Sequence, residues 1–107
     1  MAESSAGPFE VSYLEHVRHQ FQEWGQEAMA RGFGPPLLAA LRYIHDRLTA
    51  DPLQWGEPQT NLLQLRLVVC DGFHERIHVR FSVHEDQRLV FVTGCWLLPG
   101  HPLEPNP

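Results

Sequence analysis

From Leu62 to Leu98 the hydrophobic residues recur with a period of two, and no other feature narrows the fold as far. Leu65, Leu67 and Val69 alternate with Gln64, Arg66 and Val68, and Ile77, Val79, Phe81 and Val83 alternate with His78, Arg80, Ser82 and His84. Leu89 to Val92 adds a nearly continuous apolar run. Successive side chains of a strand point to opposite faces, so this alternation predicts strands with one face buried. Asp71-Gly72 and His84-Glu85-Asp86-Gln87 read as the turns between them, which gives a three-stranded antiparallel meander. Such a meander does not stand alone; its apolar face needs a cover.

The first half of the chain supplies one. Phe9 to Tyr13 alternates and reads as a short first strand, and Ser12 with Glu15 has capping-box spacing for a helix that follows directly. In that helix Leu14, Val17, Phe21, Trp24 and Ala28 form one apolar stripe at steps of three and four. Gly32 to Pro36 ends it and opens a second helix, from about Pro36 to Thr49, with Leu37, Leu41, Ile44 and Leu48 as its stripe. Asp51-Pro52 stops the second helix, because a residue before proline is pushed out of the helical region. Leu53 to Asn61 reads as a loop, with Trp55 pinning it to the sheet. The expected fold class is α+β: an N-terminal strand and a helical hairpin packed on an antiparallel β-meander.

A chain of 107 residues holds one core. Residues 9–98 read as the domain, 1–8 as a flexible N-terminal tail, and 99–107, with its prolines, as a disordered tail. No apolar run reaches membrane-spanning length and no signal-peptide pattern opens the chain, so a cytoplasmic protein without membrane contact is expected. Cys70 and Cys95 fall inside strand-like runs and read as buried free thiols. His74, His78 and His84 with Cys70 fit no tight ligand spacing, so no metal and no cofactor are expected. His16 and His19, among Glu15, Gln20 and Gln22, read as a solvated helix face.

The charge is uneven. The net is −5, and all eight basic residues are arginines. Through residue 60, eight acids stand against Arg18, Arg31, Arg42 and Arg47; beyond it, five acids stand against Arg66, Arg76, Arg80 and Arg88. The deficit lies on the helical half. A net-acidic chain is poorly suited to non-specific nucleic-acid binding, which rests on neutralised phosphates.

Four features in this order carry a resemblance to a known family. They are the Phe9–Tyr13 strand entering a helical hairpin, and the stop Ala50-Asp51-Pro52-Leu53 followed by Gly56-Glu57-Pro58. After these come the strand around Leu65-Arg66-Leu67 and the paired strands His78 to Val83 and Arg88 to Val92, joined by Glu85-Asp86. Over residues 9–98 the chain resembles the RelE/ParE toxin superfamily of type II toxin–antitoxin systems, the plasmid-stabilisation proteins. The resemblance implies a sheet packed on the hairpin, a groove on the other face, and a cognate antitoxin wrapped over the protein. It also implies a target: mRNA at the ribosome for RelE-like members, DNA gyrase for ParE-like ones.

Transferred by position, the resemblance places catalytic groups at Arg66, His78 and Arg80. Arginine grips phosphate bidentately and histidine moves a proton near neutral pH. The family pattern also has an arginine near the end of the last strand and a tyrosine on a C-terminal helix, and Thr93 to Pro99 contains neither. Trp96, Leu97 and Leu98 read instead as an apolar partner-binding surface. The leading expectation is a RelE/ParE-like toxin component neutralised by an antitoxin, with ParE-like action by binding needing least of the missing chemistry. The alternatives are a non-catalytic interaction module on the same fold, or a RelE-like endoribonuclease with a reduced site.

Overall fold

The computed structural model describes residues 7–104 and shows an α+β arrangement of helices packed on a five-stranded mixed sheet. In chain order the elements are β1 (Glu10–Tyr13), α1 (Glu15–Ala30), α2 (Gly34–Ala50) and α3 (Pro52–Trp55), then β2 (Glu57–Leu62), a 3-10 turn (Leu63–Leu65), β3 (Leu67–His74), β4 (Ile77–His84) and β5 (Leu89–Leu97). The strands lie in the order β1-β5-β4-β3-β2, with β1 parallel to β5 and the others antiparallel. Among the described residues no helix is long and apolar enough to cross a membrane.

The helical hairpin follows its sequence signals closely. At the end of α1, Phe33 N–H donates to the Ala28 carbonyl and Gly32 N–H to that of Met29, with Gly32 at φ +87°. This is a Schellman closure, which needs a residue in the left-handed region and favours glycine there. Pro35 and Pro36 then sit in the first turn of α2, and Asp51 leaves the helical region before Pro52. The capping box does not form: Ser12 stays in β1, paired with Phe91, and Leu14 occupies the cap position without a side-chain bond.

Three sequence expectations about the sheet are corrected. Asp71-Gly72 is not a turn but the middle of β3, opposite Arg80 and Val79. The turn is Glu75-Arg76, whose φ values of 52° and 63° define the mirror-image hairpin geometry that matches strand twist. Leu53 to Asn61 is not a loop, since α3 and β2 occupy it and the meander has four strands. All six residues of β2 are exposed, so the strand has no buried face to leave an alternating pattern. Trp55 does pin this segment: its ring lies 6.0 Å from that of Phe81, and a Cβ on Gly72 would come within 2.2 Å of it.

The core lies between the layers. Val17 and Ala28 of α1, with Leu37, Ile44 and Leu48 of α2, meet Cys70, Ile77, Val79, Phe81, Val83, Val90, Val92 and Cys95 of the sheet. Gln20 ties α1 to β5, donating to the Cys95 carbonyl and accepting from the Cys95 thiol.

Arginines in the hairpin turns hold both ends of the described chain. Arg88 lies 3.8 Å over the Phe9 ring and donates twice to the Gly7 carbonyl. Arg76 donates to the Pro99 carbonyl, and the chain beyond turns back to bury His101 and Leu103. The segment 99–104, expected to be disordered, is therefore folded onto the domain. Of the two segments expected to be tails, residues 1–6 and 105–107 lie outside the described residues.

Candidate functional site

The face of the sheet turned away from the helices carries a polar cluster built from three strand side chains. Asp71 on β3 sits opposite Arg80 on β4, and Phe73 sits opposite His78. The Asp71 carboxylate accepts from His78 Nε2 and Arg80 Nε, both at 2.9 Å, and from Arg80 Nη2 at 3.1 Å. Asp71 is buried although it lies on the open face, because its neighbours fold over it. The Arg80 fork above all, with His78, holds its carboxyl below the usual carboxylate range despite partial desolvation. The same bond raises the Arg80 guanidinium further.

An aromatic row runs beside this cluster. His78 stacks on Phe73 with ring centres 4.5 Å apart and lies 4.7 Å from Trp96, its register partner on β5. The outer members stand in solvent, Phe73 at 47% and Trp96 at 46% exposure. The Trp96 ring rests over Gly94, where a Cβ would come within 2.6 Å of it.

Trp96 points outward because of a bulge. Arg80 pairs with Gly94 and Phe81 with Val92, which leaves Thr93 as an extra residue on β5. Val90 and Val92 face the core before the bulge, and Cys95 and Leu97 face it after, so the parity changes at Thr93. Trp96, Leu97 and Leu98 thus do not share one surface: Trp96 is on the open face and Leu97 packs on the core.

The three residues assigned to catalysis separate in the same way. His78 and Arg80 are brought together, on one face as their spacing predicts. Arg66 is not on a strand; it caps the 3-10 turn with φ 56° and pairs with Asp86 at 2.6 Å in the β4–β5 turn. It stands five residues from Asp71, roughly 16 Å at strand rise. The two residues missed by sequence reasoning are Asp71 and Phe73. Their signal is parity with Val69, which the turn-like dipeptide Asp71-Gly72 hides.

The arrangement suits binding better than RNA cleavage. His78 Nε2 donates to a carboxylate, so that nitrogen does not take a proton from a hydroxyl. The Arg80 charge is neutralised by Asp71, which weakens any grip on phosphate. The histidines and Cys70 do not converge: His74 stacks on Tyr43 of α2, His84 accepts from Gln87 N–H, and Cys70 is in the core. Among the described residues no cluster of metal-binding side chains forms. On the helical side a groove of about 550 Å³ is lined by Phe21, Gly25, Met29, Leu37, Leu38 and Leu41, with no titratable group. Comparison with protein-family models, curated proteins and solved structures finds no match.

Proposed function

We propose that this chain is a RelE/ParE-like toxin component that acts by binding an essential protein target, and that a cognate antitoxin segment neutralises it. The observation that carries the binding mode is the Asp71 lock on His78 and Arg80. It ties up the His78 and Arg80 groups that RNA cleavage requires and leaves an aromatic row, Phe73, His78 and Trp96, along the open face. Exposed aromatics around one neutralised ion pair make a protein-docking surface rather than a phosphate site. The strand–hairpin–meander order, with β1 added in parallel to the last strand, supports the family reading, and the apolar groove between α1 and α2 offers a seat for an antitoxin segment.

The test is inducible expression in a bacterial host, scored for growth with and without any small gene adjoining its own. Growth arrest rescued by the neighbour is expected, with DNA damage rather than mRNA decay following induction. Unimpaired growth of well-expressed, folded protein overturns the toxin reading and leaves an interaction module on this fold. Rapid mRNA decay abolished by Arg80→Ala would instead establish the reduced nuclease site.

A further inference from the structure

Residues 99–104 are fastened to the domain at two points, and the proposed function uses neither. Leu98 N–H donates to the Arg76 carbonyl at 2.8 Å, which extends the pairing of β4 with β5 by one step. The chain then turns twice, through bonds from His101 N–H to the Leu98 carbonyl and from Glu104 N–H to the His101 carbonyl. Arg76 holds the first turn. Its guanidinium donates to the Pro99 carbonyl at 3.0 Å and packs where a Cβ on Gly100, at φ +95°, would come within 3.2 Å of it. The second turn is held by His101 and Leu103, both buried.

This inner fastening uses a histidine as an acceptor. Leu103 N–H donates to His101 Nδ1 at 3.0 Å. A backbone N–H only donates, so Nδ1 carries no proton and the ring's one N–H is at Nε2. Pro102 between them has no N–H to offer, which makes Leu103 the first backbone donor beyond the ring. A second proton on this imidazole has one place to go, Nδ1, and there it meets the Leu103 N–H donor to donor. Protonation of His101 and the bond from Leu103 therefore exclude each other.

We propose that residues 99–104 form an acid-released strap, opened by a proton arriving at His101 Nδ1. Opening lifts Leu103 out of the core it is packed in and leaves Arg76 as the outer hold. Two charged groups stand close to the switch. Glu104, on the strap itself, acts on the ring, and Arg76, from the β3–β4 turn, lies against the residue before it. Burial lowers the His101 pKa, and the Glu104 charge opposes this without reversing it. In the open strap the ring returns to the ordinary histidine value of about 6.5. A histidine whose closed-state pKa is depressed favours closure above that ordinary value and gives it up as pH falls below it. Each pH unit below about 6.5 then multiplies the open fraction by up to about tenfold, until the closed-state pKa is reached. The strap is independent of the toxin reading.

Amide hydrogen exchange of the full chain, read residue by residue by NMR and corrected for the intrinsic pH dependence of exchange, tests it. Protection of the Leu103 amide is expected to fall by up to about tenfold per pH unit from about pH 6.5 to about pH 5, while Val79 in β4 keeps its protection. The His101 ring resonances should titrate over the same range, which tests the link without a substitution. His101→Asn sets an amide oxygen near the place of Nδ1 and removes the titration, so the slope at Leu103 should vanish. Arg76→Gly, which suits the φ of 63° at that position, should lower Leu103 protection by one factor at every pH and keep the slope. Leu103 protection that stays constant while the His101 ring titrates overturns the proposal. So does a slope that survives in His101→Asn, or a parallel loss at Val79, which would mean that the whole domain opens.

Discussion

Asp71 and Arg80 face each other across β3 and β4, and the Asp71 carboxylate closes on the guanidinium through two hydrogen bonds while a third comes from His78. A planar fork on a carboxylate is the geometry that orients both groups most firmly. The folded Asp71 carboxyl lies below its ordinary value of about 3.9. A group with a depressed folded pKa stabilises above the unfolded value and loses that stabilisation as pH falls through the folded one. Urea unfolding followed from pH 7 downward should therefore show an acid loss below about pH 3.9 that Asp71→Asn does not share. At neutral pH Asp71→Asn should cost about 1 kcal/mol, discounted because Arg80 is half exposed. Superimposable acid limbs for the two proteins would show that the lock contributes nothing.

Neighbouring residues on β5 should behave in opposite ways. Trp96 stands on the open face and Leu97 packs on the core. Trp96→Ala and Phe73→Ala are expected to leave stability within about 1 kcal/mol of native, as surface changes do. On the proposed function each relieves growth arrest at equal protein level, because it removes an aromatic anchor from the docking surface. Leu97→Ala should instead cost about 2 kcal/mol through the space it leaves. Arrest that persists in the double variant Phe73→Ala/Trp96→Ala would move the docking surface elsewhere.

The sequence discloses most where one face of an element is buried. The stripes of α1 (from Val17 on; Leu14 is an exposed cap residue) and α2, the Gly32 and Asp51-Pro52 stops and the alternation of β4 translate directly, because burial imposes a period on them. The polar cluster is legible in part: His78 and Arg80 share parity, while Asp71 beside Gly72 has the composition of a turn. Glycine is there because Trp55 lies against it, and the true turn, Glu75-Arg76, carries none of the residues that favour positive φ. β2 left no trace, since neither of its faces is buried. Leu103 is a single apolar residue among prolines, too little for any periodic signal.

The thiols report on the core. Cys70 and Cys95 are both free and buried, on strands separated by β4. Burial pushes the Cys70 thiol up to about 11, with the Asp71 charge adding to it, and the Cys95 thiol up to about 12. The thiolate is the reactive form, so both should be inert. A chromogenic disulfide reagent at pH 8 should find no accessible thiol in the native chain and both in urea. Stoichiometric reaction of the native chain would contradict this packing.

Thr93 gives the most direct handle on how β5 is built. It is the extra residue opposite Arg80, and its hydroxyl donates to the Arg80 carbonyl at 3.3 Å. Removing a residue from a strand normally inverts every side chain beyond it. Removing this one does not: Gly94 follows Val92 on the open face, Cys95 then faces the core and Trp96 faces solvent, as in the native chain. Deletion of Thr93 should accordingly give a folded protein, weakened by about 1–2 kcal/mol through the lost hydrogen bond and the relaxed local twist. The check is urea unfolding together with thiol titration, and Cys95 is expected to remain protected. A deletion variant in which Cys95 reacts in the native state would mean that the strand had inverted and that Thr93 is not the bulge residue. A protected thiol would tie the outward position of Trp96 to one inserted residue.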